Sequence, residues 1–298
     1  MKIILGGGLV ALLARDILGP SWTIIPVGRS MYYSFTPPLA DNYIVKDTTI
    51  DDYMGQYTYA PIYTKTAFSV AGELTHNANI GIQQWLSKVY GDNIPPHADP
   101  YWRSHMEYFA YGDCCEIYRT LQDRYKDELI KNNEKWGKLI TIKDHIVNTN
   151  NGSVEYDSMI SAIPLYSLLD LLGITINLPS KDLWCYHLAS DAFDFEGATH
   201  VLVSDPHIDF HRVTQLDNNN YVFYSSMEII RPAILFMAMA KKFDLIGETQ
   251  VPRAIPCGPI ANIQAIKDAG ITCIGKTASW DDCMDIGSCC KRLLRLQI

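Results

Sequence analysis

Apolar and polar positions along the chain change period in blocks. Residues 2–5 (Lys-Ile-Ile-Leu) read as a short buried strand, and from Leu9 to Leu18 apolar residues cover most of a helix until Gly19-Pro20 ends it. Residues 22–27 read as a second strand, so strand, glycine turn, helix and strand follow one another as in the first half of a doubly wound nucleotide-binding unit. Residues 30–63 lose this regularity and are rich in Tyr, Pro and Asp, which predicts a long excursion over a ligand or a second region. Helical periodicity returns over 78–90 and 113–132, the latter with Ile117, Leu121, Tyr125 and Leu129 four apart.

Strands over 139–147 and 153–156, separated by the Asn-rich turn 148–152, predict a hairpin or meander, followed by a buried strand at 158–163 and a short helix at 165–172. Between Trp184 and Tyr224 the β-favouring runs predict an antiparallel sheet. Residues 229–243 read as a helix whose start is set near Pro232, and the chain closes with a strand at Cys273-Ile274, then Gly275 and a terminal helix. The 298 residues divide on this pattern into a discontinuous first region (1–60, 137–175 and 255–298) and a second (61–136 and 176–254) of helices and antiparallel sheet.

Composition narrows the classes. Hydrophobic residues make up 48% and charged residues 19%, enough apolar material for a large core. A net charge of −8 argues against a surface that neutralises many phosphates, so nucleic acid is not indicated as a partner. The apolar run after Met1-Lys2 is broken by three glycines, unlike a signal peptide, and no other run is long enough for a bilayer, so a cytoplasmic protein is expected. The cysteines show no Cys-x-x-Cys spacing and read as reduced thiols. His207 and His211 are four apart in a strand-loop region rather than on one helical face, and no metal site is expected.

The chemistry-bearing motif is Gly6-Gly7-Gly8-Leu9-Val10-Ala11, a match to G-x-G-x-x-A. Gly6 permits the tight turn, Gly8 lets a pyrophosphate approach the backbone, the amides of Leu9 and Val10 open the helix toward an anion, and Ala11 allows close helix packing. The acid that commonly ends the second strand and binds the adenosine ribose is missing. Arg29 follows instead, a residue suited to a phosphate.

Three separated segments resemble the flavoprotein class of UDP-galactopyranose mutase, protoporphyrinogen oxidase and the amine oxidases. They are the Gly6 to Ala11 turn, the segment from Tyr156 through Ala162, Ile163 and Pro164, and the C-terminal stretch from Ile274 to Arg292. The resemblance implies an α/β fold, a Rossmann-like FAD-binding domain with an inserted α+β substrate domain. It makes Pro164 the return point to the FAD domain, and makes Gly275, Lys276, Trp280, Met284 and Asp285 part of an element that closes over the flavin. Ile286-Gly287 departs from the more polar residues expected there. Phe210-His211-Arg212-Val213 resembles the aromatic-x-Arg-Val element of the substrate sheet, and makes Arg212 the candidate anchor for an anionic substrate group. Tyr111-Gly112-Asp113 resembles the glycine-containing entry to a long helix.

The function implied is an FAD-dependent oxidoreductase acting on a small amine-bearing or nucleotide-linked substrate. Tyr32, Tyr33, Tyr57, Tyr59 and Tyr63 would wall the pocket. Two alternatives stay open: mutase-like chemistry without net redox change, with Arg212, Arg231 and Arg253 around a diphosphate, and a nucleotide-binding protein without turnover. The compact size also resembles virus-encoded flavoproteins, which would place the protein in a host cytoplasm and adds modification of a nucleotide or DNA base to the substrate classes.

Overall fold

The computed structural model describes residues 1–27, 43–45, 47–57, 62–190, 195–216, 219–226, 244–257, 263–280 and 285–297. Along the chain, β1 (Lys2–Leu5), α1 (Leu9–Leu18) and β2 (Trp22–Ile25) precede β3 (Tyr43–Val45) and the short helix α2 (Asp51–Met54). Next come β4 (Ile62–Val70), β5 (Glu73–Thr75), α3 (Ala78–Tyr90), α4 (Ala98–Ser104), β6 (Glu107–Asp113) and the long α5 (Cys114–Trp136). A meander of β7 (Leu139–Lys143), β8 (Ile146–Thr149) and β9 (Gly152–Glu155) leads into β10 (Ser158–Ser161) and α6 (Leu165–Leu171). The second half holds β11 (Ser180–Ala189), β12 (His200–Val203), β13 (Phe210–Gln215), β14 (Asn220–Ser225) and β15 (Asp244–Pro256). It closes with α7 (Gln264–Asp268), β16 (Ile271–Cys273), α8 (Lys276–Ser279) and α9 (Ile286–Leu296).

One sheet has the order β16-β10-β1-β2 and is parallel throughout. Its strands are buried on both faces, as continuous apolar runs require. Ile4, Ile24 and Ile160 point to a core shared with α1, α5 and α9, while Ile3, Leu5, Ile25 and Met159 point to one shared with the meander and α6. At the edge strand β2, Asn132 of α5 donates its side-chain amide to the Ile24 carbonyl at 2.9 Å, which occupies an acceptor the sheet leaves open.

The other large sheet has nine strands in the order β15-β11-β14-β13-β12-β4-β6-β3, with β5 beside β4. It is antiparallel except where β4 runs parallel to β12, a pairing between distant segments that local patterning does not reveal. Helices α3 and α4 contribute Trp85, Leu86 and Ala98 to a core against Phe68, Leu202 and Tyr224.

Two elements lie across the division drawn from sequence. Helix α5, expected with the second region, buries Ile117, Leu121 and Leu129 in the α1 core, and β3, expected with the first, hydrogen-bonds to β6 in the large sheet. Strand β15 was not anticipated, because its alternation of exposed and half-buried residues lacks a hydrophobic face. In the meander, β8 runs on to Thr149, further than the Asn-rich turn suggested, and the β7–β8 turn uses Asp144 and His145, both at positive φ as a tight hairpin needs. The helix expected over 229–243 lies outside the described residues. Among the described residues, no helix is long and apolar enough to cross a membrane.

Candidate cofactor site

The carboxyl ends of the parallel strands bring three chain crossings to one level. Gly6 donates its amide to the Ile25 carbonyl at 3.1 Å, Ala162 to Leu5 at 2.9 Å, and Ile274 to Ser161 at 2.9 Å. The turn after β1, the exit of β10 and the exit of β16 are thereby tied together. Such a crevice is where open α/β sheets bind ligands.

Within it, the three small residues of the glycine motif do different things. Gly6 has φ +128°, and a Cβ there would lie 3.3 Å from the Ala11 Cβ and 3.5 Å from the Ala162 Cβ, so Gly6 and Ala11 together let α1 close onto the β10 crossing. Gly8 is the N-cap of α1 at φ −82°, supplies no side-chain cap, and a Cβ on it would meet nothing within 4 Å. The helix start carrying Leu9 and Val10 is thus left open on the side where an anion would enter, which suits a pyrophosphate.

The other segments of the resemblance meet this turn. Pro164 is the N-cap of α6, and its carbonyl accepts from Ser167 and Leu168. Gly275, at φ +112°, approaches Val10, with its Cβ position 3.6 Å from Val10 Cγ2. Trp280 is buried in a left-handed conformation (φ 56°, ψ 41°), and its indole Nε1 has no hydrogen-bond partner among the described residues. The Ser161 hydroxyl, fully buried at the end of β10, likewise has none. Asp285 caps α9, accepting from the Ser288 amide at 2.6 Å, with the Tyr101 hydroxyl at 3.3 Å and His105 Nε2 at 3.8 Å. Its carboxylate is therefore engaged by the protein. Arg29 and Met284 fall outside the described residues.

Arg212 on β13 is buried, with its guanidinium 4.0 Å from the centroid of the Tyr224 ring. It lines a cavity of about 30 Å³ together with Lys276, His211, Trp85 and Trp102, which joins the substrate-sheet candidate to the C-terminal element. The structure does not bring Arg253 into that cavity. Arg253 lies on β15, 5.0 Å from the Tyr166 ring centroid, and donates its amide to Asp182. Arg231 is outside the described residues.

The tyrosines behave differently from the expected wall. Tyr57 is buried and donates to Asp16 Oδ2 at 3.0 Å in a network with Tyr53, Tyr125 and Arg124. Burial raises the Asp16 carboxyl, but hydrogen bonds from Tyr125, Arg124 and Tyr53 outweigh it and hold the group below its ordinary value. Tyr57 is thus spent on the α1 core. Tyr63 is half exposed and packs on Phe109 at 5.3 Å, while Tyr32, Tyr33 and Tyr59 are not among the described residues. No group of metal-binding side chains occurs among the described residues. Burial pushes the thiols of Cys185 and Cys290 up to about 12, so neither is a thiolate nucleophile at neutral pH.

A larger cavity, of about 740 Å³, opens beyond β2 between the meander and α6, lined by Pro26, Val27, Asn133, Leu139, Ser167 and Asp170 among others. Sequence reasoning missed it because its walls come from three separated segments.

No protein-family model matches the chain, and no curated protein matches it by sequence. Solved structures do match its fold. UDP-galactopyranose mutase in its reduced form superposes with a TM-score of 0.70 at 12% identity, covering 99% of this chain and 93% of that one. Cyclohexylamine oxidase from Brevibacterium oxydans gives a TM-score of 0.61 at 10% identity, with 99% of this chain and 97% of that one covered. Iminodiacetate oxidase from Chelativorans sp. BNC1 gives 0.53 at 16% identity, with 99% and 94% covered. At these identities the likeness establishes the α/β fold, the parallel sheet with its large mixed partner sheet, and residue roles rest on the geometry above.

Proposed function

We propose that the chain is an FAD-dependent oxidoreductase acting on a small amine-bearing or nucleotide-linked substrate. The observation that carries the reading is the meeting of Gly8, open to solvent at the start of α1, with the β10 and β16 crossings at one crevice. Solved structures of the same architecture include amine oxidases and a mutase, which adds to it. In this reading, Gly6 and Ala11 shape the turn, Gly8 and the amides of Leu9 and Val10 hold the pyrophosphate, and Gly275 with Lys276 borders the ring system.

The adenosine end belongs in the cavity beyond β2. With no acid closing that strand, Asn133, Lys138, Ser167 and Asp170 are the polar side chains available to a ribose or base. The bound isoalloxazine would supply the electron transfer. The chain's own residues orient the substrate through Arg212, keep water from the crevice with Trp280, and set the charge around it with Lys276. On this assignment the first region, with α5 added to it, is the FAD domain, and the large sheet with α3 and α4 is the substrate domain.

A second reading is mutase-like, with a nucleotide sugar as substrate and no net redox change. What favours it is that UDP-galactopyranose mutase superposes on this fold at a TM-score of 0.70, against 0.61 and 0.53 for the two amine oxidases. Purified protein is expected to be yellow, with two flavin absorbance bands and FAD released on denaturation. Colourless protein that takes up no added FAD overturns both. Peroxide production with amines selects the oxidase, and activity on a nucleotide sugar only after dithionite reduction selects the mutase.

A further inference from the structure

A run of aromatic rings leads from the cavity beside Arg212 onto α4. Trp85, buried on α3, and Trp102, half-buried on α4, both line that cavity, as Lys276 of the C-terminal element does. Their ring centroids are 4.8 Å apart, those of Trp102 and Tyr101 are 5.4 Å apart, and His105 stacks on Tyr101 at 4.1 Å. Rings at these spacings touch at their edges, so an electron passes between them without crossing an insulating gap.

The three rings differ in where a proton can go. Trp102 Nε1 is buried with no hydrogen-bond partner among the described residues, and Trp85 Nε1 donates at 2.6 Å to the His211 carbonyl, an oxygen too weakly basic to take the proton. Tyr101 alone of the three donates to a carboxylate: its hydroxyl is 3.3 Å from Asp285 Oδ2, and His105 Nε2 lies 3.8 Å from the same oxygen. Losing an electron makes an indole or a phenol strongly acidic, so the ring with a base in reach is the one that keeps the vacancy. The vacancy therefore runs downhill from the tryptophans to Tyr101.

We propose that Trp85, Trp102 and Tyr101 form a relay that carries oxidising equivalents out of the cavity to Tyr101, with Asp285 as the proton acceptor. A one-electron oxidant, such as an oxygen-derived radical, takes an electron from Trp85 or Trp102. An electron from Tyr101 restores the indole, and the phenolic proton moves from Tyr101 Oη to Asp285 Oδ2. In sum, the oxidant gains one electron, Tyr101 loses one electron and one proton, and Asp285 gains the proton. The relay uses side chains of this chain alone, so it stands or falls apart from flavin content and from the proposed activity.

Pulse radiolysis of the purified full chain in sodium azide is the test, because the azidyl radical oxidises tryptophan first. Indolyl absorbance is expected to convert to phenoxyl absorbance in a first-order phase whose rate does not depend on protein concentration. Tyr101→Phe keeps the ring and should remove that phase, whereas Tyr90→Phe, at the ring 6.4 Å from Trp85, should retain it. Asp285→Asn still provides an N-cap for α9 and should slow the phase roughly tenfold or more. Trp102→Phe should lose the phase as well, and if that variant does not fold, the Tyr101 and Asp285 variants decide. A phase that persists in full in Tyr101→Phe, vanishes in Tyr90→Phe, or keeps its rate in Asp285→Asn would overturn the proposal.

Discussion

Gly275 faces Val10 across the crevice: a Cβ on Gly275 would lie 3.6 Å from Val10 Cγ2. This approach brings the exit of β16 to the first turn of α1 and leaves room for no more than a small group between the C-terminal element and the glycine turn. Because Gly275 is at φ +112°, any side chain there is strained whatever the space. Gly275→Val should lose about 1–3 kcal/mol of stability in chemical denaturation and release cofactor more readily.

Gly6 and Gly8 should separate the two roles of the turn. Gly8→Leu meets open space at a permitted φ, so its melting temperature should stay near the parent while FAD retention is lost. Gly6→Ala, strained at φ +128° and 3.3 Å from Ala11, should destabilise the fold itself. Absorbance spectra and thermal melts of both variants check this, and normal flavin content in Gly8→Leu would count heavily against the pyrophosphate assignment.

Much of the crevice was legible in the sequence because its parts are local. The Gly6–Ala11 turn, the strand at 158–163 and Pro164 each signal through neighbouring residues, and the structure places a turn, a strand and an N-cap there. What escaped is what distant segments make together. The parallel pairing of β4 with β12, the cavity beyond β2, and the approach of Lys276 to Arg212 have no local signature. Tyr57 was misread for the same reason, since its partner Asp16 lies on another helix.

Asp16 gives the fold an acid-sensitive point. Its carboxyl titrates lower in the folded chain than its ordinary 3.8, so the unfolded chain takes up the proton first as pH falls. The stability it contributes is complete above that value and is lost as pH drops through the folded one. Asp16→Ala should cost about 2–4 kcal/mol at neutral pH, because Arg124 and the three hydroxyls lose their acceptor. Urea melts across the acid range should show a shallower pH slope in Asp16→Asn than in the parent.

Lys88 acts at the alkaline end. Its ammonium donates to the carbonyls of Val203, Asp205 and Phe210 at 3.1, 2.7 and 2.8 Å. Burial outweighs the attraction of Asp205 and Asp209 and lowers the group from 10.5 to about 8. The unfolded chain therefore keeps this proton to higher pH, and the group makes stability rise between those two values. Lys88→Met should abolish that rise and cost about 2–4 kcal/mol at neutral pH through the stranded carbonyls. Melts between neutral and alkaline pH measure both effects.

The cavity beyond β2 offers a test of how the adenosine is held. Asp170→Ala and Asn133→Ala should each weaken FAD binding by about 1–2 kcal/mol in calorimetric titration of apoprotein, with riboflavin 5′-phosphate affinity unchanged. Equal losses for both ligands would move the adenosine elsewhere.

The order β16-β10-β1-β2 also sets a timetable for synthesis. Strands from the beginning, middle and near-end of the chain stand side by side, so the sheet is incomplete until Ile271–Cys273 has emerged from the ribosome. Until then the β10 edge is bare and the large mixed sheet has had time to form first. Truncations ending before β16 should thus yield chains that aggregate through that edge, and a cofactor that ties the three crossings together would act, during biogenesis, as the fastener of a late-closing sheet.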